Sequence, residues 1–193
     1  DTDWAVPAHS KWAQQVLDRW QNRYDDSATV VGLSIGDASI ECDRKELLET
    51  FDPSRPGVVA CRYQVATLDQ VKRAVSHASK DVSGWRHTST HHRHKLLREA
   101  AQKLREQRGD LIGAMVADAG KTVAEADPEV SEAIDFCEFY PLAAVDWEQL
   151  DSITTTPRGV VAVITPWNCP LAIPCGGVAA ALAAGNSVIL KTA

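Results

Sequence analysis

The chain has 193 residues, enough for one domain and a little more. With 20 Lys+Arg against 26 Asp+Glu its formal charge is −6, which argues against the basic face that a nucleic-acid grip or an anionic membrane surface needs. Hydrophobic residues make up 45%, as in a globular rather than a disordered chain. The longest weakly polar stretch, residues 170–185, is short for a bilayer span and holds Gly176, Gly177 and Gly185, so no transmembrane segment is expected. No basic region followed by an apolar one opens the chain, so no secretory signal is read either. The cysteines (Cys42, Cys61, Cys137, Cys169, Cys175) are odd in number and lack CxxC spacing. Reduced thiols in a cytoplasmic protein fit that better than a disulfide framework or a zinc knuckle. The chain begins on Asp1 and ends on a strand-like Val188-Ile189-Leu190-Lys191, so a piece of a longer polypeptide is expected.

In chain order, Trp4, Trp12 and Trp20 recur every eight residues, with Ala13, Val16 and Leu17 at helical spacing between them. This predicts an amphipathic helix in residues 1–26 that packs its indoles on another element; a heptad-like partner helix is the alternative. Val30, Val31, Leu33, Ile35 and Ile40, punctuated by Gly32, Gly36 and Asp37, predict short strands and a turn. Asp52-Pro53-Ser54-Arg55-Pro56-Gly57 reads as a compact turn, and residues 58–63 as the strand after it.

Thr67-Leu68-Asp69-Gln70 is a capping-box pattern opening a helix whose buried stripe is Val71, Ala74, Val75, Ala78 and Val82. A second helix is predicted over residues 89–108, with Leu96, Leu97, Ala100, Ala101 and Leu104 inward, and a third over 110–119, closed by Gly120. A fourth starts near Thr122 or Asp127, with Pro128 tolerated only in its first turn and Pro141 ending it. Its inner face is Val130, Ala133, Ile134, Cys137 and Tyr140.

Strands are predicted at 153–156 and 160–164 about a Pro157-Arg158-Gly159 turn, the second apolar on both faces as in a parallel sheet. A small-residue helix over 170–184, closed by Gly185-Asn186, leads to a further buried strand at 187–191. This β–α–β is the unit of a doubly wound nucleotide-binding sheet.

Among candidate sites, His87, His91, His92 and His94 place two histidines at i and i+4. No carboxylate or thiol joins them, and Arg93, Lys95 and Arg98 crowd them with positive charge, so a solvated helix start is read rather than a metal site. Neither G-x-G-x-x-G after a strand nor a P-loop is present. The informative stretch is Ile164-Thr165-Pro166-Trp167-Asn168-Cys169-Pro170, at the carboxyl end of a predicted strand, where open α/β sheets place ligands. Asn168 is read either as a neutral amide donor for an oxyanion or as a turn-former. Lys191 is read either as a ribose or phosphate contact or as a solvated strand end.

At these residues the sequence resembles the NAD(P)-dependent aldehyde dehydrogenases. The resemblance rests on residues 159–168, on Ala179-Ala180-Ala181-Leu182-Ala183-Ala184-Gly185-Asn186, on Val188 to Lys191, on Ala119-Gly120-Lys121 and on residues 129–136, and it covers residues 45–193. Asp1-Thr2-Asp3-Trp4 and residues 52–57 are similar to the lead into the dehydrogenase module of bifunctional proline-utilisation enzymes, which acts on L-glutamate γ-semialdehyde.

The resemblance implies an incomplete doubly wound, Rossmann-like α/β fold in four segments. Residues 1–44 lead in, and 45–140 form the first part of an NAD-binding domain. Residues 141–158 belong to an oligomerisation hairpin, and 159–193 start the cofactor-binding core. It also implies roles. Asn168 donates its amide to a tetrahedral oxyanion; Ile164, Thr165, Pro166 and Trp167 line the NAD ribose and nicotinamide; Lys191 contacts the adenine ribose. Glu132 faces the substrate (or is a solvated helix charge), and Cys169 stands at a usually aromatic position on the wall of the aldehyde tunnel. Thr192 departs from the proline or serine usual after the lysine.

The family's nucleophilic cysteine and general-base glutamate lie further along the polypeptide, so residues 1–193 alone are expected to be inactive. The implied partners are an aldehyde, the rest of the dehydrogenase polypeptide, a proline dehydrogenase module and further copies in a homo-oligomer. The alternatives are a non-catalytic binding or assembly module of the same fold, and a dehydrogenase for another aldehyde such as succinic semialdehyde or betaine aldehyde.

Overall fold

The computed structural model describes residues 1–41 and 46–193. Cys42 and the segment boundary drawn at residues 44 and 45 lie outside the described residues. The chain divides into two compact units, Asp1–Val71 with Gln107–Pro128, and Lys72–Glu106 with Glu129–Ala193.

In the first unit, helix α1 (Pro7–Trp20) starts on a proline, whose fixed φ suits the first turn, and buries Ala13, Val16 and Trp20. It packs on the helix formed by Arg108–Ala119. Trp20 lies directly against Gly113, and its indole N–H donates to Asp110 at 3.1 Å. The expected indole packing is therefore met by Trp20, while Trp4 lies outside the helix and is exposed.

Strands β1 (Thr29–Val31), β4 (Leu48–Phe51) and β5 (Val59–Tyr63) form a sheet in which β5 is central, parallel to β1 and antiparallel to β4. Between β1 and β4, β2 (Ser34–Ile35) and β3 (Ala38–Ser39) pair as a small hairpin. The turn before β5 is built on the buried Asp52 carboxylate, which accepts from the Ser54 N–H at 2.7 Å and Arg55 Nε at 2.8 Å. Burial raises that carboxyl, but these bonds outweigh it and hold it below its ordinary value.

The second unit carries most of α2 (Leu68–Lys80), then α3 (Thr90–Glu106), most of α5 (Val123–Glu148), and a β6–α6–β7 unit over Val160–Ile164, Ala172–Ala183 and Ser187–Lys191. The helix between α3 and α5, Arg108–Ala119, is α4 and belongs to the first unit. The α2 capping box forms as the sequence predicts: Gln70 accepts from the Thr67 N–H at 2.7 Å and Thr67 accepts from the Gln70 N–H at 3.3 Å. Gly120 closes α4 in the left-handed conformation at φ 66°. Strands β6 and β7 are parallel and in register from Val160↔Ser187 to Ile164↔Lys191.

Several expectations are corrected. The α2 stripe is only partly covered: Ala74 and Ala78 are half-buried, Val71 is 42% and Val75 44% exposed, and Val82 lies beyond the helix and is more exposed. On α3 the buried face is Thr90, Arg93, Leu97 and Ala101; Leu96 and Ala100 point outward. Helix α5 starts at Val123, so Pro128 falls in its second turn, and it continues through the buried Pro141 to Glu148. A proline deletes one N–H donor, and here the helix absorbs that loss because the ring is buried in packing. Among the described residues no strand forms between 149 and 159, so the expected 153–156 strand and hairpin are absent; a strand needs a partner edge. Nor are β6 and β7 buried on both faces. Val163 is buried under Gly177 of α6, whereas Ala162 and Ile164, on the other face, are exposed.

A methyl group on Gly113 would sit 2.2 Å from the Trp20 ring. Gly113→Ala should therefore lower the unfolding free energy by about 1–3 kcal/mol through overpacking, read as a lower denaturation midpoint with an unchanged slope.

Candidate functional site

Helix α6 is made of small residues because it approaches two neighbours closely. A Cβ on Gly177 would lie 2.8 Å from Val163 Cγ1 on β6, and one on Gly176 would lie 2.9 Å from Phe136 Cδ2 on α5. Ala172, Ala179, Ala181 and Ala183 are buried along the same helix. At its carboxyl end Asn186 joins α6 to β6: its Oδ1 accepts from the Gly159 N–H at 3.0 Å and its Nδ2 donates to the Ala181 carbonyl at 3.1 Å. Residues 165–171, which link β6 to α6, are thereby set at the carboxyl ends of two parallel strands.

Both ends of α6 meet an opposite charge. At the amino end Glu129 of α5, itself buried, accepts from the Leu171 N–H at 2.7 Å and the Ala172 N–H at 3.1 Å through one oxygen. At the carboxyl end Arg93 of α3, also buried, donates Nε to the Ala183 carbonyl at 2.9 Å and a second nitrogen to the Thr88 carbonyl. Burial lowers the Arg93 guanidinium from its ordinary value, and nearby Glu148 opposes this. A carboxylate at the positive end and a guanidinium at the negative end both complement the helix dipole. Glu129 also satisfies two N–H groups that a helix start leaves without intrahelical partners.

The loop that links β6 to α6 holds most of the predicted site residues. Thr165 is buried, and both its N–H and its hydroxyl donate to the Lys191 carbonyl, at 3.2 and 3.3 Å. Pro166 is half-buried, Trp167 is 74% exposed, and Ile164 at the end of β6 is 75% exposed. Asn168 is exposed and Cys169 is half-buried. Lys191 pairs with Ile164 in register and its side chain is exposed. The structure thus brings residues 164–169 and Lys191 together at one end of the β6–β7 pair. Glu132 lies on α5 one turn beyond Glu129, exposed rather than buried.

Glu129 was missed as a site residue in the sequence, where nothing links it to positions 42 and 43 residues away. A second long-range pair, the Cys137 and Cys175 thiols 3.4 Å apart, packs α5 against α6. Its hydrogen bond to Cys137 and its burial push the Cys175 thiol far above its ordinary value, which suits a packing group rather than a nucleophile.

The histidine cluster is placed elsewhere. His91, His92 and His94 lie on the first turns of α3, and His87 ends a short 3-10 turn before it. His91 and His94 line an open cavity of about 400 Å³ with Lys95, Arg98, Arg105 and Glu138, and none of residues 164–170 lines it. Chemistry is better sought at the loop, where the strand ends converge, than in this charged surface groove. Among the described residues no group of three or more His, Cys, Asp or Glu is arranged to hold a metal ion.

For a dinucleotide, the loop offers the exposed Lys191 ammonium to hydroxyls, and the exposed Ile164 and Trp167 as apolar surface for a flat ring. These groups are compatible with a nicotinamide dinucleotide, NAD or NADP, held without a glycine-rich phosphate turn. The profile of the aldehyde dehydrogenase family matches residues 40–193. The chain belongs to the aldehyde dehydrogenase family.

The bifunctional protein PutA of Salmonella typhimurium is 39% identical over 148 residues, covering 77% of this chain and 11% of that protein. An α-ketoglutarate semialdehyde dehydrogenase of Haloferax volcanii is 35% identical over 158 residues, 77% of this chain and 33% of the relative. A solved 1-pyrroline-5-carboxylate dehydrogenase from Thermus with bound NAD superposes with a TM-score of 0.89 at 28% identity, over 100% of this chain and 38% of that one. The chain thus spans about a tenth of the length of the bifunctional relative and about a third of the other two. The incomplete α/β fold read from the sequence agrees with this likeness. Among the described residues no helix is long and apolar enough to cross a membrane.

The two glutamates on α5 should separate cleanly in stability. Glu129→Ala leaves buried N–H groups without their acceptor and should cost about 1–3 kcal/mol, whereas Glu132→Ala, on an exposed face, should stay within about 0.5 kcal/mol. Denaturant melts of the two variants give the comparison.

Proposed function

We propose that this chain is the amino-terminal part of an NAD-dependent dehydrogenase that oxidises L-glutamate γ-semialdehyde to L-glutamate in proline catabolism. The observation that carries the reading is the position of Asn168: an exposed neutral amide on a braced loop at the carboxyl ends of β6 and β7. The relatives' names support the substrate class, since those quoted include a 1-pyrroline-5-carboxylate and an α-ketoglutarate semialdehyde dehydrogenase. The wider assembly is then a cytoplasmic homo-oligomer with a proline dehydrogenase module on the same polypeptide; the PutA relative is itself named as bifunctional. Residues 141–158 would serve its oligomer contact.

The overall change is aldehyde plus NAD⁺ plus water to carboxylate plus NADH and protons. When bound, NAD⁺ supplies the hydride acceptor. The chain's own groups do the following. Asn168 Nδ2 donates to the carbonyl oxygen as a thiolate from later in the polypeptide adds to the carbon, so the negative charge that develops on oxygen meets a fixed dipole. Because the amide is neutral, it steadies that charge without adding a net charge to the site. Lys191 holds the adenine ribose, while Ile164, Thr165, Pro166 and Trp167 flank the nicotinamide side and exclude water. Glu132 faces the substrate, and Cys169 lies in the aldehyde wall. Residues 1–193 lack the attacking thiolate and the base, so by themselves they turn over nothing.

A substrate panel on the full-length polypeptide, read as NADH absorbance, checks this. The highest kcat/KM is expected for L-glutamate γ-semialdehyde, ahead of α-ketoglutarate semialdehyde and an uncharged aliphatic aldehyde, with residues 1–193 alone showing no NADH formation. Aldehyde oxidation by residues 1–193 at the rate of the full-length protein would overturn the reading.

A further inference from the structure

We infer that Glu129 is a positioning residue for the Asn168 amide, an inference that rests on the oxidation proposed above. Leu171 stands at the start of α6 with no side-chain oxygen to cap the helix. Glu129 supplies the missing acceptor from another helix, taking both the Leu171 and the Ala172 N–H on one buried oxygen. On the other side, the loop is tied at Thr165 by two bonds to the Lys191 carbonyl.

Between those ties lie only Pro166, Trp167, Asn168, Cys169 and Pro170, and each proline fixes its own φ. The span is short and two of its φ angles are fixed, so displacement of either tie is passed along the backbone to Asn168. Asn168 is exposed, so no packing around the amide fixes its direction; the ends of the loop must do so. Glu129 touches neither aldehyde nor cofactor in this account and acts only through the loop. A misplacement of about 1 Å at a reacting group is enough to cost on the order of 100-fold in rate, so a cap at this point has leverage on the chemistry.

The test is a double-mutant cycle in the full-length polypeptide, reading the single-turnover rate of NADH formation at saturating NAD⁺ and aldehyde. Asn168→Ala is expected to slow that step by roughly 100–1000-fold, and Glu129→Ala by roughly 10–100-fold. In the Asn168→Ala background, Glu129→Ala should change the rate by less than about threefold, because the group it positions is gone. Glu129→Gln keeps a carbonyl acceptor and should recover the rate to within about fivefold of the parent. If Glu129→Ala does not fold, Glu129→Asp, which withdraws the acceptor by one methylene, takes its place in the cycle with the same suppression expected.

A Glu129 effect that multiplies in full on top of Asn168→Ala would overturn the inference while leaving the oxidation reading intact, and so would a Glu129→Ala rate within about threefold of the parent. An Asn168→Ala rate equal to the parent's would overturn the oxidation reading and the inference together.

Discussion

The buried carboxylate of Glu129 on the first N–H groups of α6 is the contact on which the rest of the second unit's organisation depends. A helix start leaves several backbone donors without partners, and burying them unmet is costly. The residue at the cap position, Leu171, cannot meet them. A carboxylate drawn from α5 does so, and its charge also suits the positive end of the helix. Arg93 does the converse at the other end, taking the Ala183 carbonyl. Helix α6 is thus fixed along its axis by two charged side chains from two other helices, and the loop that precedes it inherits that fixation.

Sideways, α6 is fixed by the absence of side chains. Gly177 lets it close on Val163 and Gly176 lets it close on Phe136, with alanines along the rest of the buried surface. Such contacts leave little tolerance, because an added methyl meets ring or branched carbons at less than 3 Å. The charged ends and the close sides together place residues 165–171 relative to β6 and β7. Apolar surface is left open there at Ile164 and Trp167.

Much of this was legible in the sequence, and the reasons it was or was not are local. The β6–α6–β7 unit was readable because a β-branched run, a small-residue helix and a Gly185-Asn186 turn follow one another. The Thr67–Gln70 capping box and the Gly120 cap were readable because each motif acts within a few residues. Pro141 carries a local helix-breaking penalty that the surrounding packing absorbs, and α5 runs through it. The α2 stripe and the outer face of β6 mislead in the opposite way: the apolar pattern is real, but the described residues leave Val71, Val75, Ala162 and Ile164 exposed. Residues 153–156 have strand composition, yet among the described residues they form no strand. The loop and the family resemblance single out Asn168 in the sequence. Glu129 is not singled out, because its meaning lies in a hydrogen bond to a residue 42 positions away.

The central claim is that the Asn168 amide faces a carbonyl oxygen at the end of β6. A crystal structure of the full-length polypeptide with NAD⁺ and L-glutamate bound tests it most directly. The account predicts Asn168 Nδ2 within about 2.7–3.1 Å of a carboxylate oxygen of the product, with Glu129 still bonded to the start of α6. A product oxygen met by a different donor, with the Asn168 amide turned to solvent, would contradict it.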